Sequence, residues 1–255
     1  MTKSEFISTL LKKAEEFGVP LTEEQGEKLF IYFEELVRVN EYMNLTAITE
    51  PEEVIVKHFM DSLALLKYSF VKEGASLVDV GTGAGFPGVV IKIARDDIKL
   101  TLMDAAGKRI TFLEELCEKL DIDVECINIR AEQAGVDTDY REEFDVVTSR
   151  AVAELRVLNE YCLPLVKVNG KFVALKGKSG CDEVNLAKSS ISILGGKLSK
   201  VEEYTLFDAG ERTVVEIKKV KKISSKYPRH NSQIKSKPFS PASLSIFSYI
   251  RFLQL

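Results

Sequence analysis

A doubly wound α/β sheet of seven strands behind an N-terminal helical extension is the fold class that the sequence predicts, on three observations. From residue 76 onward, short apolar runs of strand length alternate with segments of helical spacing. The first run ends in a glycine cluster, DVGTGAGFPG, of the kind that joins a strand to a helix in open α/β sheets. The last two runs follow each other across a short FDAGER turn, which reads as an antiparallel pair at the edge of a mainly parallel sheet.

Taken in order, residues 1–73 read as helices. Thr2-x-x-Glu5 and Thr22-x-x-Gln25 both fit the capping box, in which two side chains satisfy each other's exposed backbone N–H groups. Behind them, Phe6, Leu10, Ala14 and Phe17, then Phe30, Phe33 and Val37, lie on single helical faces. A third helix is expected from Thr49-Glu50-Pro51, with proline in its first turn, to about Lys67. Residues 74–222 form the sheet domain, with strands at SLVDVG, KLTLMDA, VECINIR, FDVVTS, KFVALKG, KVEEYTL and TVVEIKKV. Residues 223–255 are a basic segment and tail. Its last part, SPASLSIFSYIRFLQL, is apolar but short and interrupted by Arg251, and reads equally as a docked tail or a loose extension.

Composition narrows the function. The chain has 255 residues, 45% of them hydrophobic, with mean hydropathy −0.02, which suits one sizeable α/β core plus an appendage. The N-terminus is amphipathic and acidic, without the continuous apolar stretch of a signal peptide, and no run suggests a membrane span. Cys117, Cys126, Cys162 and Cys181 show no CxxC spacing, and with two histidines a metal site is not expected. Reduced thiols and a cytoplasmic location follow. Residues 1–217 carry 26 basic against 39 acidic side chains, a net of −13, whereas nine Lys/Arg and no Asp/Glu follow from Lys218. A uniformly basic nucleic-acid binder is excluded. The basic run is either a phosphate-facing edge or a solvated tail.

The glycine cluster carries the chemistry. A dinucleotide fingerprint G-x-G-x-x-G needs its third glycine at position 86, which is Phe86. The loop reads instead Gly81-Thr82-Gly83-Ala84-Gly85, with the acid Asp79 ahead of it, and a pyrophosphate does not suit a nearby carboxylate. S-adenosylmethionine has no phosphate and carries a cationic sulfonium and an amino group, so an acidic, tight glycine turn suits it better. An acid for ribose hydroxyls is expected at the end of the next strand, and Asp104 stands there. The third strand ends in Arg130-Ala131-Glu132, where polar groups can meet an adenine edge. GKS at 177–179 is not a Walker A motif, because position 172 is Phe rather than glycine.

DVGTGAGFPG, together with NEYMNLTAIT, KHFMDSL, RAEQ, FDVVTSRAVAEL and LKGKS, resembles the glucose-inhibited division protein B family from about residue 20 to about 238. The resemblance implies a Rossmann-like, class I methyltransferase sheet that uses S-adenosylmethionine to methylate guanine N7 in small-subunit (16S) ribosomal RNA. It implies that Gly81, Phe86, Asp104, Ala131, Glu132 and Arg150 line the cofactor and reaction cleft, with Gly83 and Gly85 completing the loop.

The residues accord with such an acceptor. Amine methyltransferases carry a D/N-P-P-Y/F segment after the fourth strand, and this chain has Thr148-Ser149-Arg150-Ala151. Guanine N7 has an in-plane lone pair and no proton to lose, so no general base is needed and none is evident. Arg150 is the candidate catalytic residue, positioned to fix the base; its alternative is a local ion pair with Glu154. Lys108, Arg109 and Lys176 are candidate RNA contacts, with solvated strand- and helix-end roles as their alternatives. The major groove of A-form RNA is closed to side chains, so the target guanine is expected in a loop or flipped out. The expected partner is 16S ribosomal RNA or the small ribosomal subunit, met by a monomer. Competing readings are a methyltransferase for a small molecule or protein, a nicotinamide-dependent oxidoreductase, and an RNA-binding module without activity.

Overall fold

The computed structural model describes residues 1–239, so the apolar run at 240–255 lies outside the described residues. The chain divides into two compact units, Met1–Arg130 with Tyr204–Glu211, and Ala131–Glu203 with Arg212 onward.

The first unit opens with helices α1 (Lys3–Phe17) and α2 (Glu23–Met43). Both begin at the expected capping boxes: the Thr2 and Thr22 hydroxyls accept from Glu5 and Gln25 N–H at 3.3 and 3.2 Å, and those side chains accept back at 2.7 and 2.9 Å. The buried face of α1 is the predicted one, with Phe6, Leu10, Ala14 and Phe17. That of α2 is rotated from the expected aromatic row. Leu29, Tyr32, Leu36 and Val39 are buried, while Phe30 and Phe33 are half-buried against Phe6, at centroid distances of 5.3 and 4.8 Å. The helix thus has two apolar faces, and the sequence alone ranks the one with more aromatic rings first.

The third helix starts at Pro51 and ends at Lys67 as expected, yet it is irregular. A turn of α-helix, α3 (Pro51–Val54), passes into a π-helical stretch, Ile55–Met60, before α4 (Asp61–Lys67). Beyond it come β1 (Ser76–Val80), α5 (Gly88–Ala94), β2 (Lys99–Asp104), α6 (Gly107–Lys119) and β3 (Val124–Asn128). The three strands are parallel, with Asp79 opposite Leu102 and Asp104 opposite Asn128. Leu77, Val78, Leu102 and Met103 are buried, the continuous apolar run of strands covered on both faces. Residues 204–211 pack on the helices of this unit: Phe207 lies 6.0 Å from Phe17, and the Tyr204 hydroxyl donates to Asp61 at 3.3 Å.

The second unit contains α7 (Ala131–Ala134), β4 (Phe144–Arg150), α8 (Leu155–Cys162), β5 (Val166–Gly177), α9 (Gly180–Ile193), β6 (Gly196–Thr205), β7 (Glu211–Lys219) and α10 (Asn231–Ser236). β5 pairs with β4 in parallel, Ser149 opposite Ala174, and with β7 antiparallel, Phe172 opposite Ile217. The seven-stranded sheet has the order β3-β2-β1-β4-β5-β7-β6, the predicted mixed sheet with its antiparallel strand near one edge. β5 and β6 begin at Val166 and Gly196, earlier than their apolar runs suggest, because the added residues, VKVNG and GKLS, mix apolar positions with Lys, Asn, Ser and Gly and form no continuous apolar run. The four cysteines are free thiols.

Up to residue 239 the basic segment is not a solvated tail. Arg141 donates to the carbonyls of Tyr227 and Ile223 at 2.8 and 3.2 Å, and Pro228 lies so close to Gly135 that a Cβ there would meet its ring at 2.8 Å. Lys219 is fully buried and donates to Leu163 O, Val166 O and Glu142 at 2.7, 3.1 and 3.1 Å. Burial pushes its ammonium down to about 8 from an ordinary 10.5, against the pull of Glu142. Between those pH values the unfolded chain still holds a proton that the folded chain has released, so this group adds stability as pH rises through the window. The gain is absent below it. Urea unfolding should show this as a rise of about 3 kcal/mol that Lys219→Met loses. Parallel pH profiles for the two proteins would contradict it.

Candidate active site

The first unit holds the glycine loop. β1 delivers Asp79, and residues 81–87 then turn into α5. Gly81, Gly83 and Gly85 adopt φ of 68, 62 and 102°, a left-handed backbone that side-chain-bearing residues resist. The turn is tied down by Gly81 N–H on Met103 O at 2.8 Å and by Phe86 N–H on Thr82 O at 3.1 Å. Asp79 is fully buried, and its Oδ2 accepts from the Thr82 hydroxyl at 2.8 Å and from Gly88 N–H at 2.9 Å. This carboxylate builds the loop, and its negative charge lies where a phosphate on the start of α5 would be repelled.

The glycines serve different ends. A Cβ on Gly85 would meet the Tyr32 hydroxyl at 2.6 Å and Val89 at 2.8 Å, so this glycine answers to the protein's own packing. Gly83 has nothing within 4 Å of a Cβ position, so open space lies over its backbone. Its N–H donates to Asp104 Oδ2 at 3.0 Å, while Asp104 Oδ1 accepts from Ala106 N–H at 2.9 Å. Asp104 is buried at the end of β2, and the Asn128 amide holds its backbone carbonyl at 3.0 Å. The predicted acid and the predicted loop are therefore joined by a hydrogen bond.

Phe86 is only 5% exposed. Its ring is stacked on Tyr32 at 5.1 Å and on His58 at 4.4 Å, which makes it a prop inside the loop rather than an open platform. Arg109, expected at RNA phosphates, lies 3.4 Å from Asp104 with its side chain 40% exposed. Lys108 is exposed on the first turn of α6.

In the second unit, Ala131 and Glu132 open α7 and are half-buried. Arg150 ends β4, half-buried, followed by Ala151 with a left-handed φ of 56°. Glu154, the alternative partner for Arg150, is bonded to Arg156 at 2.9 Å. Lys176 departs from its expected role. Its ammonium binds Glu183 at 2.7 Å and Ala153 O at 2.8 Å with 9% of the side chain exposed, so the charge is turned inward instead of toward RNA. The sequence shows a lysine at a strand end but not the carboxylate that α9 brings to it.

The sequence points to no role for Tyr32 and reads His58 as a structural, not catalytic, histidine of its helix. The signal for His58 was its place in KHFMDSL, and for Tyr32 only its position on the second apolar face of α2.

Residues 25–233 match the profile of the GidB family, described as rRNA small subunit methyltransferase G. A ribosomal RNA small subunit methyltransferase G of Lactobacillus helveticus is 51% identical over 222 residues, covering 86% of this chain and 92% of that protein. Its namesake in Acetivibrio thermocellus is 45% identical over 234 residues, covering 91% and 96%. Among solved structures, a methyltransferase from Pyrococcus furiosus shares the fold with TM-score 0.53 at 15% identity, covering 76% of this chain and 98% of that one. A SAM dependent methyltransferase from Aquifex aeolicus does so with TM-score 0.52 at 18% identity, covering 69% and 97%. The chain belongs to the GidB family, the rRNA small subunit methyltransferases G.

Proposed function

We propose that this protein transfers a methyl group from S-adenosylmethionine to N7 of a guanine in small-subunit ribosomal RNA. One observation carries the reading: within a chain of this family, the buried Asp104 carboxylate is bonded to the N–H of Gly83, over which open space lies. That chemistry suits a nucleoside. The carboxylate can take ribose hydroxyls, Gly83 admits close approach of the ligand, and the buried Asp79 disfavours phosphate.

The cofactor, when bound, supplies an electrophilic methyl group on a sulfonium. What the chain does is hold and orient. Asp104 and the backbone of Gly81, Gly83 and Gly85 are the proposed donor contacts in the first unit, and Ala131 and Glu132 those in the second. Arg150 is proposed to fix the guanine by donating a hydrogen bond to O6, which leaves the N7 lone pair free for the methyl group. No proton leaves N7, so positioning and charge arrangement suffice. Lys108 and the exposed lysines of the basic run from Lys218 to Lys237, namely Lys218, Lys221, Lys222, Lys226, Lys235 and Lys237, are the proposed phosphate contacts. The same reading makes the protein a cytoplasmic monomer acting on 16S RNA or the small subunit.

The test supplies labelled methyl on S-adenosylmethionine and small-subunit RNA or particles lacking their native N7-methylguanine. Label recovered as N7-methylguanine at one position is expected. Cofactor binding without transfer to RNA or particles would sink the RNA reading and favour a small-molecule or protein acceptor.

A further inference from the structure

The glycine loop is held from outside by the helical extension. Tyr32 of α2 is fully buried, its hydroxyl donates to Ala84 O at 2.5 Å, and its ring lies nearly parallel to Phe86, at 16°. On the other ring contact, His58 stacks on Phe86 at 4.4 Å and 20°. The plane of His58 is set in turn. Its Nε2 is 2.9 Å from the Thr46 hydroxyl, which also accepts from Ile48 N–H at 3.0 Å, and Thr46 N–H donates to the Asn40 side chain at 2.8 Å. His58 belongs to the π-helical stretch Ile55–Met60, a local widening that α-helical geometry would not produce and that recurs at functional sites.

These contacts converge on Ala84, Gly85 and Phe86. Gly83, whose N–H meets Asp104, adjoins them. Its left-handed backbone has open space above it and no side chain of its own to fix it. Its geometry is therefore set jointly by the Asp104 bond and by what holds the next three residues. Stacked rings and a buried hydroxyl-to-carbonyl bond are stiff supports, and preorganised backbone is what a ligand contact of this kind requires.

We propose that Tyr32 and His58 are positioning residues for methyl-donor binding, acting through Phe86 and Ala84, with Thr46 orienting the imidazole. The proposal rests on the reading of this loop as the S-adenosylmethionine site. Neither residue exchanges a proton in the reaction: His58 contributes its aromatic plane, and Tyr32 its plane and hydroxyl.

The experiment uses the full chain and measures S-adenosylmethionine affinity by calorimetry, alongside kcat and separate KM values for donor and RNA. Tyr32→Phe keeps the ring and removes the bond to Ala84; donor affinity is expected to fall about fivefold. His58→Ala is expected to weaken the donor about tenfold, and His58→Phe to return it to within about twofold of the parent, because the stack is restored. In all three, kcat at saturating donor and KM for RNA are expected to stay within about twofold, a split that a general loss of folded protein would not produce. Unchanged donor affinity in Tyr32→Phe and His58→Ala would overturn the proposal. So would a fall in kcat that His58→Phe fails to restore, which would mark the imidazole as a chemical participant. A parent protein that binds no S-adenosylmethionine would instead overturn the reading of the loop itself.

Discussion

Asp104→Ala is expected to weaken S-adenosylmethionine binding by at least about 100-fold and to remove methyl transfer at ordinary donor concentrations. Two losses combine. The carboxylate is the proposed acceptor for ribose hydroxyls, and hydrogen bonds to a charged acceptor contribute about 1.5–3 kcal/mol each. It also fixes the loop, accepting Gly83 N–H at 3.0 Å and Ala106 N–H at 2.9 Å, so alanine frees the backbone that the donor must approach. Asp104→Asn separates the two. Its carbonyl oxygen keeps one acceptor and the shape of the side chain, but not the charge, and an intermediate loss of about 10-fold is expected. Arg109→Ala serves as the control. Its guanidinium is 3.4 Å from the carboxylate and 40% exposed, so screening leaves the pair weak and donor affinity should stay within about threefold. The measurement is donor calorimetry on folded variants, checked by circular dichroism. A donor affinity for Asp104→Ala within about fivefold of the parent would remove Asp104 from the site.

How far this site was legible depended on the range over which its parts interact. The capping boxes at Thr2 and Thr22, the strand–helix alternation and the antiparallel strand near the sheet edge were legible because each is written in neighbouring residues. The pairing of Asp104 with the loop was also foreseeable. A parallel strand following the first βα turn brings its end beside the loop, whatever the side chains between them. Tyr32 and His58 were not, since their role appears only when helices distant in sequence are laid against Phe86. Nor does any residue type demand the π-helical stretch at Ile55–Met60. The charge pattern misled in a specific way. A run of lysines and arginines reads as a surface, yet Lys219 and Arg229 are turned onto Glu142 and Glu160, carboxylates that lie far upstream. Lys176 and Glu183 repeat the lesson over a shorter distance.

That inward turn at Arg229 has the largest expected consequence for stability. Glu160 is 1% exposed, and Arg229 surrounds it with its own N–H at 2.8 Å, Nε at 2.8 Å and a terminal nitrogen at 2.6 Å. The guanidinium also lies 4.3 Å over the Phe239 ring and donates to Lys237 O at 3.1 Å, so it ties the basic segment to α8. The Tyr161 hydroxyl reinforces the tie by donating to Asn231 Oδ1 at 2.6 Å. Arg229→Ala leaves a buried carboxylate with a single backbone donor, and breaking a buried pair in this way costs about 3–5 kcal/mol. For a chain of this size, that corresponds to a melting temperature lower by about 10 °C. The cost comes from stranding a charge more than from losing an attraction, so a second substitution tests the cause. Arg229→Ala combined with Glu160→Leu should recover at least half of the lost stability, because no uncompensated buried charge remains. Full additivity of the two substitutions, or a single Arg229→Ala as stable as the parent, would show that the pair does not hold the segment. Retained donor affinity in the double variant would in turn separate this clamp on the second unit from the loop that Asp104 and Tyr32 hold in the first.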